Sequence, residues 1–265
     1  MNWSQMRTLP DSPVVVAIGG IDPGSGAGLG RDLLTACALG AAVRMVGTAW
    51  TEQGDGRVRS IEARAASAIE DAVRWAVRGA PGAVKVGMVP GPDAAEAIVR
   101  GLVGFRGAVV VDPVLVASSG GALWEGPLDR LGPLLRRATL VTPNAPEAAA
   151  LAGRPVRTLP DAAAVAAQLC ASGIAAVLVK GGHLDDVGAG EVVTDLLATP
   201  RGQRSYQRRR APGPGPRGTG CALATAVAVG LATGLSLELA IGEATTWLAD
   251  RISRAVEQDG ERRLG

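Results

Sequence analysis

Several short segments of this chain combine glycine with residues that donate, accept or carry charge. Arg217-Gly218-Thr219-Gly220-Cys221 stands directly before an apolar, alanine-rich stretch. A Gly-Thr-Gly run at a helix start leaves backbone N–H groups unpaired, and with the helix dipole these make an anion site. Cys221 falls in the first turn of that helix, where the dipole favours a thiolate and lowers the thiol pKa. The same position also suits a buried structural cysteine. Thr142-Pro143-Asn144-Ala145-Pro146-Glu147 follows a short apolar run. Asn144 and Glu147 share one helix face and can orient magnesium-bound water beside phosphates; equally, they match a capping box. Lys180, in Val179-Lys180-Gly181-Gly182-His183, ends another apolar run, and a lysine beside two glycines can reach a phosphate. The loop at 19–28, GGIDPGSGAG, suits either a tight strand-to-helix turn or a ligand that touches backbone at Gly20. Asp32, in the helix that follows, is by itself an ordinary solvated or capping residue. No GxGxxG fits the loop and no GxxxxGK[ST] occurs in the chain, which argues against a dinucleotide fingerprint and a P-loop.

The elements that must position these groups alternate along the chain. Short apolar runs at 14–18, 43–49, 83–88, 108–111, 139–141 and 175–179 predict strands. Helical spacing predicts helices at 28–39, 65–78, 92–103, 128–136, 145–151, 161–171, 218–232 and 237–256. The runs at 192–198 and 203–209 predict a hairpin. The basic run Arg201, Arg204, Arg208, Arg209 and Arg210 in and around its second strand suits a solvated edge strand where charge blocks further pairing. Wholly apolar strands with helices between them imply a mostly parallel sheet covered on both faces. One α/β domain over 13–258, with tails at 1–12 and 259–265, accounts for the chain. The ligand site is expected at the carboxyl ends of the strands. Gly20, Gln53, Met88, Asp112-Pro113, Asn144 and Lys180 all fall there.

Composition narrows the function classes. The 265 residues include 27 Lys plus Arg against 25 Asp plus Glu, a net charge of +2 that gives no strong field for nucleic acid. Aromatic residues at 3% leave too few stacking platforms for single strands. A single histidine, His183, excludes any metal site with two histidine ligands. Cys37, Cys170 and Cys221 lie far apart with no CxxC, which points to reduced thiols and a cytoplasmic setting. The longest apolar stretch, at 222–235, is too short to span a bilayer, so no membrane association is expected.

Taken in order, the segments AIGGIDPGSGAGLGRDLLTACALGA (17–41), VKVGMV (84–89), VVVDPVLVASSG (109–120), LVTPNAPEAAAL (140–151), VLVKGGHLDD (177–186) and RGTGCALATAVA (217–228) resemble the hydroxymethylpyrimidine/phosphomethylpyrimidine kinases of thiamine biosynthesis. These belong to the ribokinase-like superfamily. The resemblance implies a ribokinase-like three-layer α/β/α sandwich with a mostly parallel central sheet, ATP and Mg²⁺ as cofactors, a small-molecule pyrimidine substrate and a homodimer. It implies phosphorylation of 4-amino-5-hydroxymethyl-2-methylpyrimidine and then of its monophosphate. Carried over by position, Gly20, Asp32, Gln53, Met88, Val114 and Cys221 fall on the pyrimidine pocket. Asn144, Lys180, Gly182 and Thr219 fall on the nucleotide and phosphate side, Glu147 and Asp112 on the metal, and Gly218, Thr219 and Gly220 on the anion hole. Lys180 and Cys221 are implied as catalytic, with Cys221 accepting the hydroxyl proton.

Three segments depart from the family pattern. Gly215-Pro216-Arg217 replaces Asn-Thr-His, Ala117-Ser118-Ser119-Gly120 replaces Ala-Lys-Ser-Gly, and Gln53-Gly54-Asp55 replaces Gln-Asn-Thr. A lysine and a histidine near the phosphates are thereby lost, while Arg217 brings in a cation. The alternatives are a pyridoxal or pyridoxine kinase of the same superfamily and a pyrimidine-binding homologue with weak catalysis.

Overall fold

The computed structural model describes residues 12–54, 57–117, 120–184, 192–211, 213, 215–258 and 261–264. Its central strands are short because both their faces are buried. In β1 (Val14–Ile21), β4 (Ala83–Val86), β5 (Ala108–Val111), β6 (Leu140–Val141) and β7 (Val177–Val179), successive side chains point to opposite layers. Val16, Ile18, Val84, Val86, Val109, Val111, Val141, Val177 and Val179 face one core. Val15, Ala83, Val110, Leu140 and Leu178 face the other. The first core is roofed by α2 (Ala66–Ala76), α3 (Pro92–Gly101), α4 (Gly132–Arg137), α5 (Ala145–Ala152) and α6 (Leu159–Ala171). The second is closed by α1 (Gly28–Ala38), α7 (Thr219–Ala232) and α8 (Leu237–Ser253). Sealing both faces in this way is what a parallel sheet requires.

With β2 (Ala42–Gly54), β3 (Arg57–Ala63), β8 (Val192–Thr199) and β9 (Gly202–Arg209), the described residues form a nine-stranded sheet. Its order is β3-β2-β1-β4-β5-β6-β7-β8-β9. The pairs from β2 through β7 are parallel, and β3, β8 and β9 add antiparallel edges. From β1 the chain runs outward to β2, then returns to place β4 on the other flank of β1. That reversal opens a crevice at the carboxyl ends of β1 and β4, the usual ligand position in an open α/β sheet. Arg204, Arg208 and Arg209 of the basic run lie on β9, an edge strand, with Arg201 and Arg210 just outside its two ends. Among the described residues no helix is long and apolar enough to cross a membrane.

The structure corrects three expectations. The loop at 19–28 begins later than its glycines suggest, because Gly19 to Ile21 continue the ladder with β2. β3 was not expected, since Arg57, Arg59 and Glu62 disguise a strand whose apolar side rests on Val58 and Ile61. Residues 261–264, expected in a C-terminal tail, pack against the domain. β10 (Val256–Gln258) and β11 (Glu261–Arg263) form a hairpin, and Leu264 is buried in the same cluster as α7 and α8. The hairpin is held to the body by the Arg217 N–H on the Arg262 carbonyl at 3.1 Å and by Arg263 Nη1 on the Gly24 carbonyl at 3.1 Å. Leu264→Ala is expected to lower stability by about 2–3 kcal/mol, the usual range for emptying a buried leucine site. Urea unfolding should then show an earlier midpoint at an unchanged slope.

Candidate active site

The crevice between β1 and β4 has an apolar floor. Gly20 is the penultimate residue of β1, and a Cβ built on it would stand 2.6 Å from Met88 Sδ, so backbone and thioether are in close approach. Met88 is buried with Ala49, Ala117 and Leu123, and Val58, Ile61 and Val114 pack against them. Thr48 Oγ1 donates to the Met88 carbonyl at 2.8 Å and ties β2 to this floor. Gly20, Met88 and Val114 are thus brought together, as their sequence positions imply. Gln53 pairs with Val58 in the β2–β3 ladder; its side chain, like Ser118, lies outside the described residues.

Next to this floor lies a polar cluster built by three strand ends. Lys180 follows β7, and its ammonium is 2.6 Å from Asp112 Oδ1 and 3.9 Å from Glu147 Oε2. Thr142 Oγ1 donates to the same Asp112 oxygen at 3.1 Å. Asn144 and Glu147 form a reciprocal capping box on α5: the Glu147 N–H reaches Asn144 Oδ1 at 2.9 Å, and the Asn144 N–H reaches Glu147 Oε2 at 2.7 Å. The capping reading is therefore correct, and it also fixes Glu147 beside Lys180. Burial pushes the Glu147 carboxyl up to about 7, with Lys180 pulling the other way. Asp112, expected at a metal, has Oδ1 engaged by Lys180 and Thr142, while Glu147 accepts from the Asn144 and Leu115 N–H groups.

The start of α7 faces Lys180. Gly218 takes the left-handed conformation (φ 77°) and the helix begins at Thr219. A Cβ on Gly220 would lie 3.1 Å from Lys180 Nζ and 3.4 Å from Asp112 Oδ2. The unpaired first N–H groups of the helix and the ammonium therefore share one space. Arg217 adds a guanidinium at the rim, 3.4 Å from Asp22 Oδ2. Gly182, after Lys180, accepts from Arg210 Nη2 at 3.2 Å through its carbonyl.

Cys221 sits in the first turn of α7, but its pKa moves opposite to the expected direction. Burial pushes the thiol above its ordinary range, and the pull of Lys85 does not reverse this. The helix terminus alone would have lowered it; here desolvation is the larger effect. The Gly28 N–H points at the thiol. Gly28 has φ 59°, and a Cβ there would collide with the Gly20 carbonyl, so both the turn and its approach to β1 require glycine.

Asp32 does not line the crevice. It is fully buried, with Lys85 Nζ at 2.9 and 2.8 Å from its two oxygens and Thr225 Oγ1 donating at 2.9 Å. Lys85 is the partner that the sequence reading missed. Its signal was present: a lysine in the otherwise apolar run Ala-Val-Lys-Val. Asp195, equally hidden in β8, accepts from the Gly181 N–H at 2.8 Å and so shapes the turn that carries Lys180.

A family model described as phosphomethylpyrimidine kinase matches residues 22–263. The chain belongs to this kinase family. It is 41% identical over 192 residues to the hydroxymethylpyrimidine/phosphomethylpyrimidine kinase of Rhizobium meliloti, covering 69% of each chain. It is 36% identical over 247 residues to that of Salmonella typhimurium, covering 91% of each. The crystal structure of phosphomethylpyrimidine kinase from Clostridium difficile matches with a TM-score of 0.75 at 29% identity, over 90% of this chain and 99% of that one. A pyridoxal kinase from Staphylococcus aureus matches with a TM-score of 0.85 at 25% identity, over 96% and 93%. The three-layer sandwich is accordingly ribokinase-like.

In this family member Gly28→Ala and Gly40→Ala separate collision from backbone strain. Gly40 also has positive φ (75°) but nothing within 4 Å of a built Cβ. Gly40→Ala should cost roughly 1–2 kcal/mol, the left-handed penalty alone. Gly28→Ala should cost more and also displace the turn beside Cys221, so that melting temperature and kinase activity fall together.

Proposed function

We propose that this chain phosphorylates the hydroxymethyl group of 4-amino-5-hydroxymethyl-2-methylpyrimidine with ATP, and then its monophosphate to the diphosphate, as a cytoplasmic homodimer. The family supports the reading. The observation that carries it is the adjacency of an apolar slot to a cationic anion hole. Gly20, Met88 and Val114 wall the slot, and Lys180 stands 3.1 Å from the Cβ position of Gly220 in the hole. A flat aminopyrimidine suits the slot, with Gln53 offering a donor and an acceptor to its ring edge.

Glu147 and Asn144 would hold Mg²⁺, which when bound neutralises phosphate charge. Their oxygens are hard donors of the kind Mg²⁺ takes. Among the described residues no three His, Cys, Asp or Glu side chains converge to hold an ion by themselves, so the phosphates would complete its shell. Lys180 and the N–H groups of Thr219, Gly220 and Cys221 stabilise negative charge as the hydroxymethyl oxygen bonds to the γ-phosphorus and the bond to ADP breaks. Asp112 holds the lysine on this line. Cys221, as thiolate, accepts the hydroxyl proton.

The test is ATP turnover with the pyrimidine, its monophosphate or pyridoxal in parallel. Turnover with both pyrimidines is expected, and preference for pyridoxal would overturn the reading. Lys180→Ala should lower kcat by about 10²–10³-fold through lost charge stabilisation. Because burial holds the Cys221 thiol above its ordinary range, thiolate is the minor form at neutral pH. The rate should therefore rise with pH through the neutral range, and Cys221→Ala should flatten that rise.

A further inference from the structure

Helices α1 and α7 are joined by two rungs, one helical turn apart. In the upper rung the Gly28 N–H faces the Cys221 thiol. In the lower rung Thr225 Oγ1 donates to Asp32 at 2.9 Å. Gly28 and Asp32, like Cys221 and Thr225, are four residues apart, so each pair lies on one helix face. Lys85 enters the lower rung from β4, with both Asp32 oxygens within 2.9 Å of its ammonium. Its side chain occupies a position where strand alternation would otherwise bury an apolar residue against α1 and α7. A Cβ on Gly87 would lie 2.6 Å from Lys85 Nζ. The ammonium therefore reaches the underside of the segment that carries Met88. An ion pair this deep adds little net stability, since desolvating two charges offsets their attraction. Stability alone does not explain its place under the reacting end of the sheet.

We infer that Lys85 and Asp32 are positioning residues that set the charge state of Cys221 from one turn below, Lys85 favouring the thiolate and Asp32 restraining it. The inference rests on the proposed role of Cys221 as proton acceptor. The charged groups facing the thiol are Lys85 from β4, Asp32 and Arg31 from α1, Asp112 beyond β5 and Lys180 beyond β7. Burial opposes the Lys85 charge, but Asp32, Cys221 and Asp112 outweigh it and hold the ammonium protonated. Lys85 is thus a permanent cation at working pH.

The experiment reads the thiol directly and needs no turnover. In a Cys37→Ser/Cys170→Ser background, the rate of Cys221 alkylation by iodoacetamide is followed against pH. Lys85→Met should slow alkylation at pH 8 by about tenfold, one unit of thiol pKa. Asp32→Asn should speed it by a similar factor. The double variant Lys85→Met/Asp32→Asn leaves no unpaired buried charge and should fall between them. The alkaline rise in kinase rate should move with the alkylation curve in each case. Changes in the same direction for both single variants, or unchanged alkylation in variants that retain the native circular dichroism and melting transition, would overturn the inference. If Lys85→Met does not fold, Asp32→Asn and the double variant decide it: alkylation faster in the single than in the double variant supports it, and equal rates refute it. Loss of the kinase reading with the opposed alkylation shifts intact would show that the electrostatic coupling stands while the reaction assigned to Cys221 fails.

Discussion

Two helical layers seal the sheet, and this seal decides where chemistry can occur. Along β1 and β4 to β7 nearly every side chain is buried, so this interior is apolar except for Lys85, which is paired with Asp32. Polar atoms are released only where the strands stop. At those ends the chain reversal between β1 and β4 opens a crevice, and the carboxyl ends of β5, β6 and β7 bring Asp112, Asn144 and Lys180 to its side. The glycines at 20, 28 and 218 let three backbone segments crowd together there. The site is thus a product of the strand order as much as of any single motif.

Within that site burial and charge compete at each group. Burial raises the Glu147 and Cys221 pKa values and works against the Lys85 and Lys180 charges. The lysines remain charged because each has a carboxylate within hydrogen-bond distance. Cys221 has no such contact with a full positive charge, so desolvation prevails over the helix terminus. The arrangement keeps two ammonium groups fixed by carboxylates, Lys85 on Asp32 and Lys180 on Asp112.

Much of this was legible in the sequence. The apolar runs located the central strands, and Asn144, Lys180 and Cys221 located two strand ends and one helix start that meet beside the crevice. β3 was hidden because this edge strand exposes Arg59 and Glu62 and resembles a loop. The C-terminal hairpin was hidden because its strands are short and, among the described residues from 256 on, only Leu264 is buried. Asp32 was visible but misplaced. Its neutralising partner, Lys85, comes from a strand 53 residues on, and no local pattern links the two. Cys221 was correctly placed and wrongly signed, because a helix terminus can be read from sequence whereas the depth of burial depends on tertiary packing.

The hairpin at 256–263 joins the beginning of the domain to its end. Arg263 reaches the Gly24 carbonyl across 239 positions, and Arg31 reaches the Leu264 carbonyl across 233. Contacts this distant in sequence carry a larger loop-closure cost than the β1–β2 or β4–β5 ladders. The loop at 22–28 therefore takes part of its support from the far end of the domain. A chain shortened before residue 256 would keep all nine strands of the main sheet and lose the Arg263 bond that clamps the first glycine loop.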